Sequence, residues 1–278
     1  MKIHEGKSRL HICNYSNAKY RCDEFYTSRE EVEEIFEKII PEGYLENKKI
    51  YCPCDSEQSE FVKYLKENKH IYKYRELIYT SDDFNTHIDL FDNSDFVITN
   101  PPFSKICNEL FPILCNHAKD WFIFGSITSI YWYYEKNQYP NIKIYRAGHF
   151  NFYTPHINMI TNKNYVAVNH SYLTNIECNN IYIPKNKISK TYDELYKDKE
   201  PVYLISINNK PCEHILNIDK IKDIPIDYEE IMCVPITVLF EFNKKYFEII
   251  KVLHHEIKEF SDGKSRFIRI LVKKKSKK

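Results

Sequence analysis

Two consecutive prolines directly behind an apolar run constrain this chain of 278 residues more than any other feature. Phe96, Val97, Ile98 and Thr99 read as a short buried strand. Pro101 and Pro102 cannot donate to a sheet ladder, so the chain must leave the sheet at Asn100. A residue that precedes proline is held extended, which pins the backbone of Asn100 and of Pro101. The expected product is a stiff polar corner at a strand's carboxyl end, with the ring of Phe103 beside it. Ligands of open α/β sheets bind at that edge.

The segments around the corner alternate in type. Thr27 or Ser28 is placed to cap a helix from about Arg29 to Ile40, whose Val32, Ile35, Phe36 and Ile39 recur at helical spacing behind an acidic first turn. Pro41-Glu-Gly43 ends it. Lys49 to Cys52 reads as a strand, and Pro53-Cys-Asp55-Ser56 turns into a helix through Phe61, Val62 and Leu65. A second strand, Tyr74 to Thr80, closes at Ser81-Asp82-Asp83. Beyond the Asn100 strand come a helix around Ile106 to Cys115 and a strand, Trp121 to Phe124, ending at Gly125-Ser126. This alternation implies an α/β fold with a doubly wound, mainly parallel sheet.

From about residue 140 the pattern changes to short aromatic-rich runs, and Ile142–Tyr145, Tyr165–Asn169, Asn180–Ile183 and Pro201–Ile207 are expected as further strands. Pro235-Ile-Thr237 precedes an expected helical stretch around Leu239 to Ile250. The chain is accordingly divided into residues 1–140 and an α+β extension over 141–278.

Charge follows the same division. Residues 1–150 carry 19 basic against 23 acidic side chains, and residues 151–278 carry 21 against 16. The basic excess peaks from Lys264 to Lys278, a tail suited to gripping phosphates or to fraying into solvent. Nine cysteines without paired spacing argue for reduced thiols, and Cys52-x-Cys54 has no second pair at zinc spacing, so no metal is expected. His149, His156 and His170 show no metal spacing either and read as ordinary. No stretch approaches the roughly 20 apolar residues that span a bilayer. The first eight residues contain no apolar signal core, so a cytoplasmic location is expected.

The corner suits a particular chemistry. The exocyclic amine of a nucleobase is a poor nucleophile because its lone pair is delocalised into the ring. Two acceptors set against its N–H bonds, the Asn100 side-chain carbonyl and the Pro101 backbone carbonyl, pull that nitrogen toward tetrahedral geometry and stabilise the positive charge that develops. Phe103 is placed to stack on the base, a contact worth roughly 1–3 kcal/mol. Asn100-Pro101-Pro102-Phe103 resembles the catalytic motif of S-adenosylmethionine-dependent amino-methyltransferases.

The likeness extends along most of the chain, which resembles the EcoRI-type adenine-specific DNA methyltransferase family in four segments. These are Asp23-Glu-Phe-Tyr-Thr27; Cys52-Pro-Cys-Asp55-Ser56 with Ser59-Glu-Phe61; Asn100 to Ser104; and Asp227 to Met232 with Val234-Pro-Ile-Thr237 and Phe247-Glu-Ile-Ile250. The resemblance implies a Rossmann-like methyltransferase fold, S-adenosylmethionine as cofactor, double-stranded DNA as partner and the N6 amine of adenine as methyl acceptor. It also implies residues 1–140 as the cofactor-binding catalytic core and residues 141–278 as the target-recognition extension, while a companion restriction endonuclease is a matter for neighbouring genes.

One departure stands out. The first loop of methyltransferases usually contains Gly-x-Gly, which lets backbone approach the cofactor; here Cys54 to Gln58 contain no glycine. Asp55 is placed to face the ammonium of the cofactor's methionine part, or to cap the following helix, with Cys54 beside it. Asp82 and Asp83 stand where an acid takes ribose hydroxyls in such sheets, or form a solvated turn. Phe25, Tyr26 and Thr27 line the cofactor or staple the helix start. Asp89 and Asp92 are candidates near the cofactor's adenine by position alone, and Asp95 opens the catalytic strand. Tyr131-Trp132-Tyr133-Tyr134 either walls the pocket of an extruded base or packs in a core. An RNA base or a protein glutamine amide as acceptor, or a decayed nucleic-acid-binding module, are the alternative readings of the same residues.

Overall fold

A computed structural model describes residues 26–102, 105–125, 142–158, 163–179, 188–240, 247–253, 256–266 and 268–275. These fall into two compact units, 26–125 with 142–179, and 188–275. The protein is a mixed α/β chain whose described residues contain two six-stranded sheets and few helices.

The first unit carries β1 (Lys49–Pro53), β2 (Glu76–Thr80), β3 (Phe96–Thr99), β4 (Trp121–Gly125), β5 (Lys143–Asn158) and β6 (Lys163–Thr174). Their order is β2-β1-β3-β4-β6-β5, with the first four parallel and the last two antiparallel. β3 and β4 are buried along their whole lengths, as continuous apolar runs in a covered parallel sheet are. The expected runs Ile142–Tyr145 and Tyr165–Asn169 fall almost wholly within β5 and β6, which extend this sheet. Asn180–Ile183 lies outside the described residues.

Short helices flank the strands. Ser28 caps α1 (Arg29–Glu34) by accepting from the Glu31 N–H at 3.3 Å, and a π-turn, Ile35–Ile39, carries the helix on to Ile40. Val32, Ile35, Phe36 and Ile39 are all buried in the core shared with β1, β3 and β4. α2 (Glu60–Glu67) is capped by Ser59 and buries Phe61, Val62, Tyr64 and Leu65. α3 (Lys69–Tyr72) leads to β2, α4 (Ile88–Asp92) precedes β3, and α5 (Phe111–His117) follows a π-turn over Ile106–Leu110. Asp95 only opens its strand: it accepts from the Lys49 N–H and pairs with Arg75 and Lys119.

The second unit contains β7 (Tyr203–Ile207), β8 (Lys210–Asn217), β9 (Met232–Pro235), β10 (Phe247–Leu253), β11 (Lys258–Phe260) and β12 (Arg269–Lys274), ordered β10-β12-β9-β8-β7-β11. α6 (Tyr192–Tyr196) precedes them behind a capping box of Thr191 and Glu194. Asn208 and Asn209 both take positive φ, the requirement of a two-residue turn between right-twisted strands. β10 and β11 lie at opposite edges, yet only four residues separate Leu253 from Lys258. A flat sheet would set those edges about 24 Å apart at about 4.8 Å per strand, whereas the link reaches at most about 18 Å. The sheet therefore curls on itself, and Lys258 Nζ reaches the Leu253 carbonyl at 3.3 Å. Leu204, Cys233, Leu253, Phe260 and Leu271 form the core of this curl.

The expected helix over Leu239 to Ile250 is corrected: a 3-10 turn spans Ile236–Phe240, and β10 begins at Phe247. β-branched Ile249, Ile250 and Val252 favour the strand. A register shift between Ile249 and Lys251 interrupts the two-residue alternation that announces a strand in sequence.

Gly125 ends β4 against β6. A Cβ there would stand 2.4 Å from Cδ1 of the fully buried Leu173, so that side chain would have to shift within the core. Gly125→Ala is expected to lower stability by about 1–3 kcal/mol, read as a fall in the urea midpoint at unchanged slope.

Candidate active site

The strand order turns back at β1, because β2 pairs on one side of it and β3 on the other. Loops leaving β1 and β3 therefore diverge, and a crevice opens at their carboxyl ends. Two hydrogen bonds set its floor. Thr99 Oγ1 donates to the Pro53 carbonyl at 2.5 Å, tying the end of β3 to the end of β1. The Asp55 N–H donates to the Thr80 carbonyl at 3.0 Å, tying the same loop to β2.

Above this floor lies a cleft of about 820 Å³. Four stretches line it: Tyr26 to Glu30 at the start of α1, Cys54 to Phe61 apart from Glu57, Ser81 to Phe84, and Asn100 with Pro102 and Lys105. Of the residues expected from sequence, Tyr26, Thr27, Cys54, Asp55, Asp82, Asp83, Asn100 and Pro102 are thus brought to one place. Pro101 is buried and is not a lining residue. Phe25, Phe103 and Tyr131 to Tyr134 lie outside the described residues. Asp89 and Asp92 do not line the cleft; Asp92 faces His117, with Oδ1 3.0 Å from Nδ1.

The loop without glycine still makes the backbone turn that glycine usually supplies. Cys54 takes φ +65°, the left-handed region that L side chains rarely adopt. Its thiol is no nucleophile: burial, helped by the charge of Asp55, pushes its pKa up to about 12. Cys54 is a free thiol, as is Cys52.

Asp55 is the electrostatic centre. It does not cap α2 itself, since Ser59 does that, but its Oδ1 accepts from Ser59 Oγ at 2.5 Å. Its Oδ2 is buried and finds no hydrogen-bond partner among the described residues. Burial raises its pKa to about 7, against the opposing pull of the Ser59 and Thr99 hydroxyls. Thr27 Oγ1 is likewise buried without a partner among the described residues. Both atoms leave room for a ligand that can hydrogen-bond with them.

Asp82 and Asp83 differ from Asp55 in being solvated and fully ionised. Asp82 is held below the usual carboxylate range chiefly by His87, whose Nε2 is 2.8 Å away. Asp83 is held low by the N–H of Asn85, which it caps at 3.1 Å, and by the Asn85 side chain. Lys105 Nζ stands 3.3 Å from Asp83 and 3.5 Å from Glu109, with the Phe84 ring 5.4 Å away. Lys105, Ser59 and Phe84 are cleft residues that sequence reasoning did not single out for a site. Only Ser59 had a signal, as a serine just ahead of an apolar helical run.

Among the described residues no three His, Cys, Asp or Glu side chains gather to hold a metal. Among them, too, no helix is long and apolar enough to cross a membrane.

A strand ending in Asn-Pro-Pro thus opens on a cleft with a buried acid at the neighbouring strand's end. The chain belongs to the family described as adenine-specific methyltransferase EcoRI, whose pattern matches residues 81–277. It is similar to the type II methyltransferase M.EcoRI of Escherichia coli, with 30% identity over 86% of this chain and 77% of that one. It is also similar to the type II methyltransferases M.MgeORF184P of Mycoplasma genitalium and M.MpnI of Mycoplasma pneumoniae. Each is 23% identical, over 92% and 96% of this chain and 96% and 99% of theirs. The protein is therefore an enzyme of the adenine-specific methyltransferase class, as the four matching segments implied.

The ionisation of Asp55 has a stability consequence. Its folded pKa, about 7, lies above its ordinary value of 3.8, so the folded state holds this proton more tightly than the unfolded chain. The stability it contributes is present below pH 4 and is lost as pH rises toward 7. Asp55→Asn carries no such penalty. Its melting temperature is expected to gain on the unliganded wild type between pH 4 and 7, with the gap constant above pH 7.

Proposed function

We propose that this chain transfers a methyl group from S-adenosylmethionine to the N6 amine of adenine at a specific site in double-stranded DNA, as the modification enzyme of a restriction system. One observation carries the reading: Asn100 and buried Asp55 leave the carboxyl ends of adjacent parallel strands and open into one cleft. The described type II relatives support DNA as the substrate. The order β2-β1-β3-β4, with α1 to α5 interleaved, supports a doubly wound, Rossmann-like core. On this reading the residues after 140 read the target, and the Lys264–Lys278 tail grips phosphates in the cytoplasm, where a companion endonuclease also acts.

S-adenosylmethionine supplies an electrophilic methyl group when bound. The chain's residues do the rest. Asp55 accepts from the cofactor's ammonium, Asp82 and Asp83 from its ribose hydroxyls, and Phe25, Tyr26, Thr27 and Cys54 wall it in. The Asn100 side-chain carbonyl and the Pro101 carbonyl accept from the adenine amine, and Pro102 keeps the corner stiff. Phe103 stacks on the base after it turns out of the duplex, the geometry that chemistry on a base requires.

Labelled methyl transfer to unmethylated genomic DNA, with total RNA and casein in parallel, tests the reading. Label recovered as N6-methyladenine in DNA supports it, and label confined to RNA or protein refutes the substrate. Asn100→Ala is expected to lower turnover at least about a hundredfold while cofactor affinity stays within about threefold. Asp55 adds a pH signature. Below pH 7 the free carboxyl must lose its proton to meet the ammonium, so affinity for S-adenosylmethionine rises between pH 5 and 7 with proton release. Calorimetry in buffers of different ionisation enthalpy reads that release, and Asp55→Asn abolishes it.

A further inference from the structure

Behind the cleft wall the structure buries a carboxyl–imidazole pair that the transfer chemistry does not use. Glu31 is fully buried in the first turn of α1, and His170 on β6 is 1% exposed. Glu31 Oε1 stands 2.6 Å from His170 Nε2, and the Tyr172 hydroxyl donates to the same oxygen at 3.4 Å. The imidazole stacks on Phe124 of β4, with ring centroids 5.1 Å apart and planes at 29°. Burial raises the Glu31 pKa, against the pull of His170 and Tyr172, and Glu34 is the remaining charge that acts on it.

Such a pair is a costly way to hold a fold, since well-packed apolar side chains in its place are often as stable or more so. Its value is direction. Val32, Ile35, Phe36 and Ile39 seat α1 on the core by apolar contacts, which are non-directional. Glu31 adds a directional one. Its N–H is bonded to Ser28 Oγ and its carboxylate to β6, so the turn before it is fixed in azimuth. That turn, Tyr26 to Glu30, is one wall of the cleft. The other end of the contact is equally placed. Ser171 pairs with Gly125 at the end of β4, so His170 stands just past the sheet's carboxyl edge, where β1 and β3 deliver Asp55 and Asn100.

We infer that Glu31 and His170 form a positioning pair that sets the Tyr26–Glu30 wall at the distance from the sheet edge that S-adenosylmethionine requires. The inference rests on the reading of the cleft as the cofactor site. It assigns the pair to cofactor affinity and not to the transfer step, because neither side chain lines the cleft.

The test separates positioning from stability. In the double variant Glu31→Leu/His170→Phe an apolar pair replaces the polar one, and its melting temperature is expected to stay near that of the wild type or above it. Its dissociation constant for S-adenosylmethionine, by calorimetry, is expected to rise about tenfold or more. In methyl transfer the cofactor KM rises by the same factor while kcat stays within about threefold. Glu31→Gln, which keeps volume and part of the contact, gives the same reading should the double variant fail to fold: a weaker dissociation constant at near-normal melting temperature. Wild-type affinity in either folded variant overturns the inference, as does a fall in kcat at unchanged KM. No binding by the wild type itself overturns the cofactor reading and this inference together, which distinguishes the two failures.

Discussion

The hydroxyl of Thr99, bonded to the carbonyl of Pro53, is the contact on which the site depends. It joins the last residues of β1 and β3 at the place where both strands leave the sheet. It also satisfies the Thr99 hydroxyl, which is fully buried and would be costly to leave unpaired. With it, the loop that carries Asp55 and the corner that carries Asn100 leave from one fixed point. Two prolines then stop the second strand from continuing, and Cys54 turns the first loop through a left-handed conformation.

Electrostatics at this point are sharply graded. Asp55 is desolvated and titrates near neutral pH, whereas Asp82 and Asp83, one loop away, stay solvated and ionised. The contrast comes from placement and not from residue type. Asp55 follows a buried strand and is covered by the start of α2; the other two sit in an open turn. A cationic ligand group gains most beside a carboxylate that has little water to lose, while hydroxyls are well served by exposed acceptors. The second unit uses charge differently. There Asp219 joins Arg266 and Arg269, and Arg266 also pairs with Asp262, bonds that brace the segment entering β12 in a sheet curled by its short β10–β11 link.

Much of the first unit was legible because its elements are short and locally determined. The apolar runs of β3 and β4, the stripe on α1 and the cap Ser28 each follow from neighbouring residues, and each appears where expected, whereas α2 is capped by Ser59 and not by Asp55. Asn100 and Asp55 were legible for the same reason, as residues at strand ends. β10 was not, because its bulge breaks the two-residue period and leaves spacings that imitate a helix. Lys105 was passed over as a site residue because no single-sequence pattern tells a cleft side chain from a surface one; Ser59 stood in a family-like segment but carried no role of its own.

By itself the sequence determined the corner: proline chemistry ends the strand at Asn100, and no packing choice alters that. It also determined the class of enzyme, since strand, asparagine, double proline and the matching segments recur in order along the chain. Tertiary structure alone decided what the corner faces. The pairing order that sets β2 and β3 on either side of β1, the burial that brings Asp55 toward neutrality, and the contact of Glu31 with His170 across 139 positions all depend on residues distant in sequence. Local spacing carries no record of such contacts. His170 looked ordinary because its partner lies on another element, and only the folded chain puts the two in one buried place.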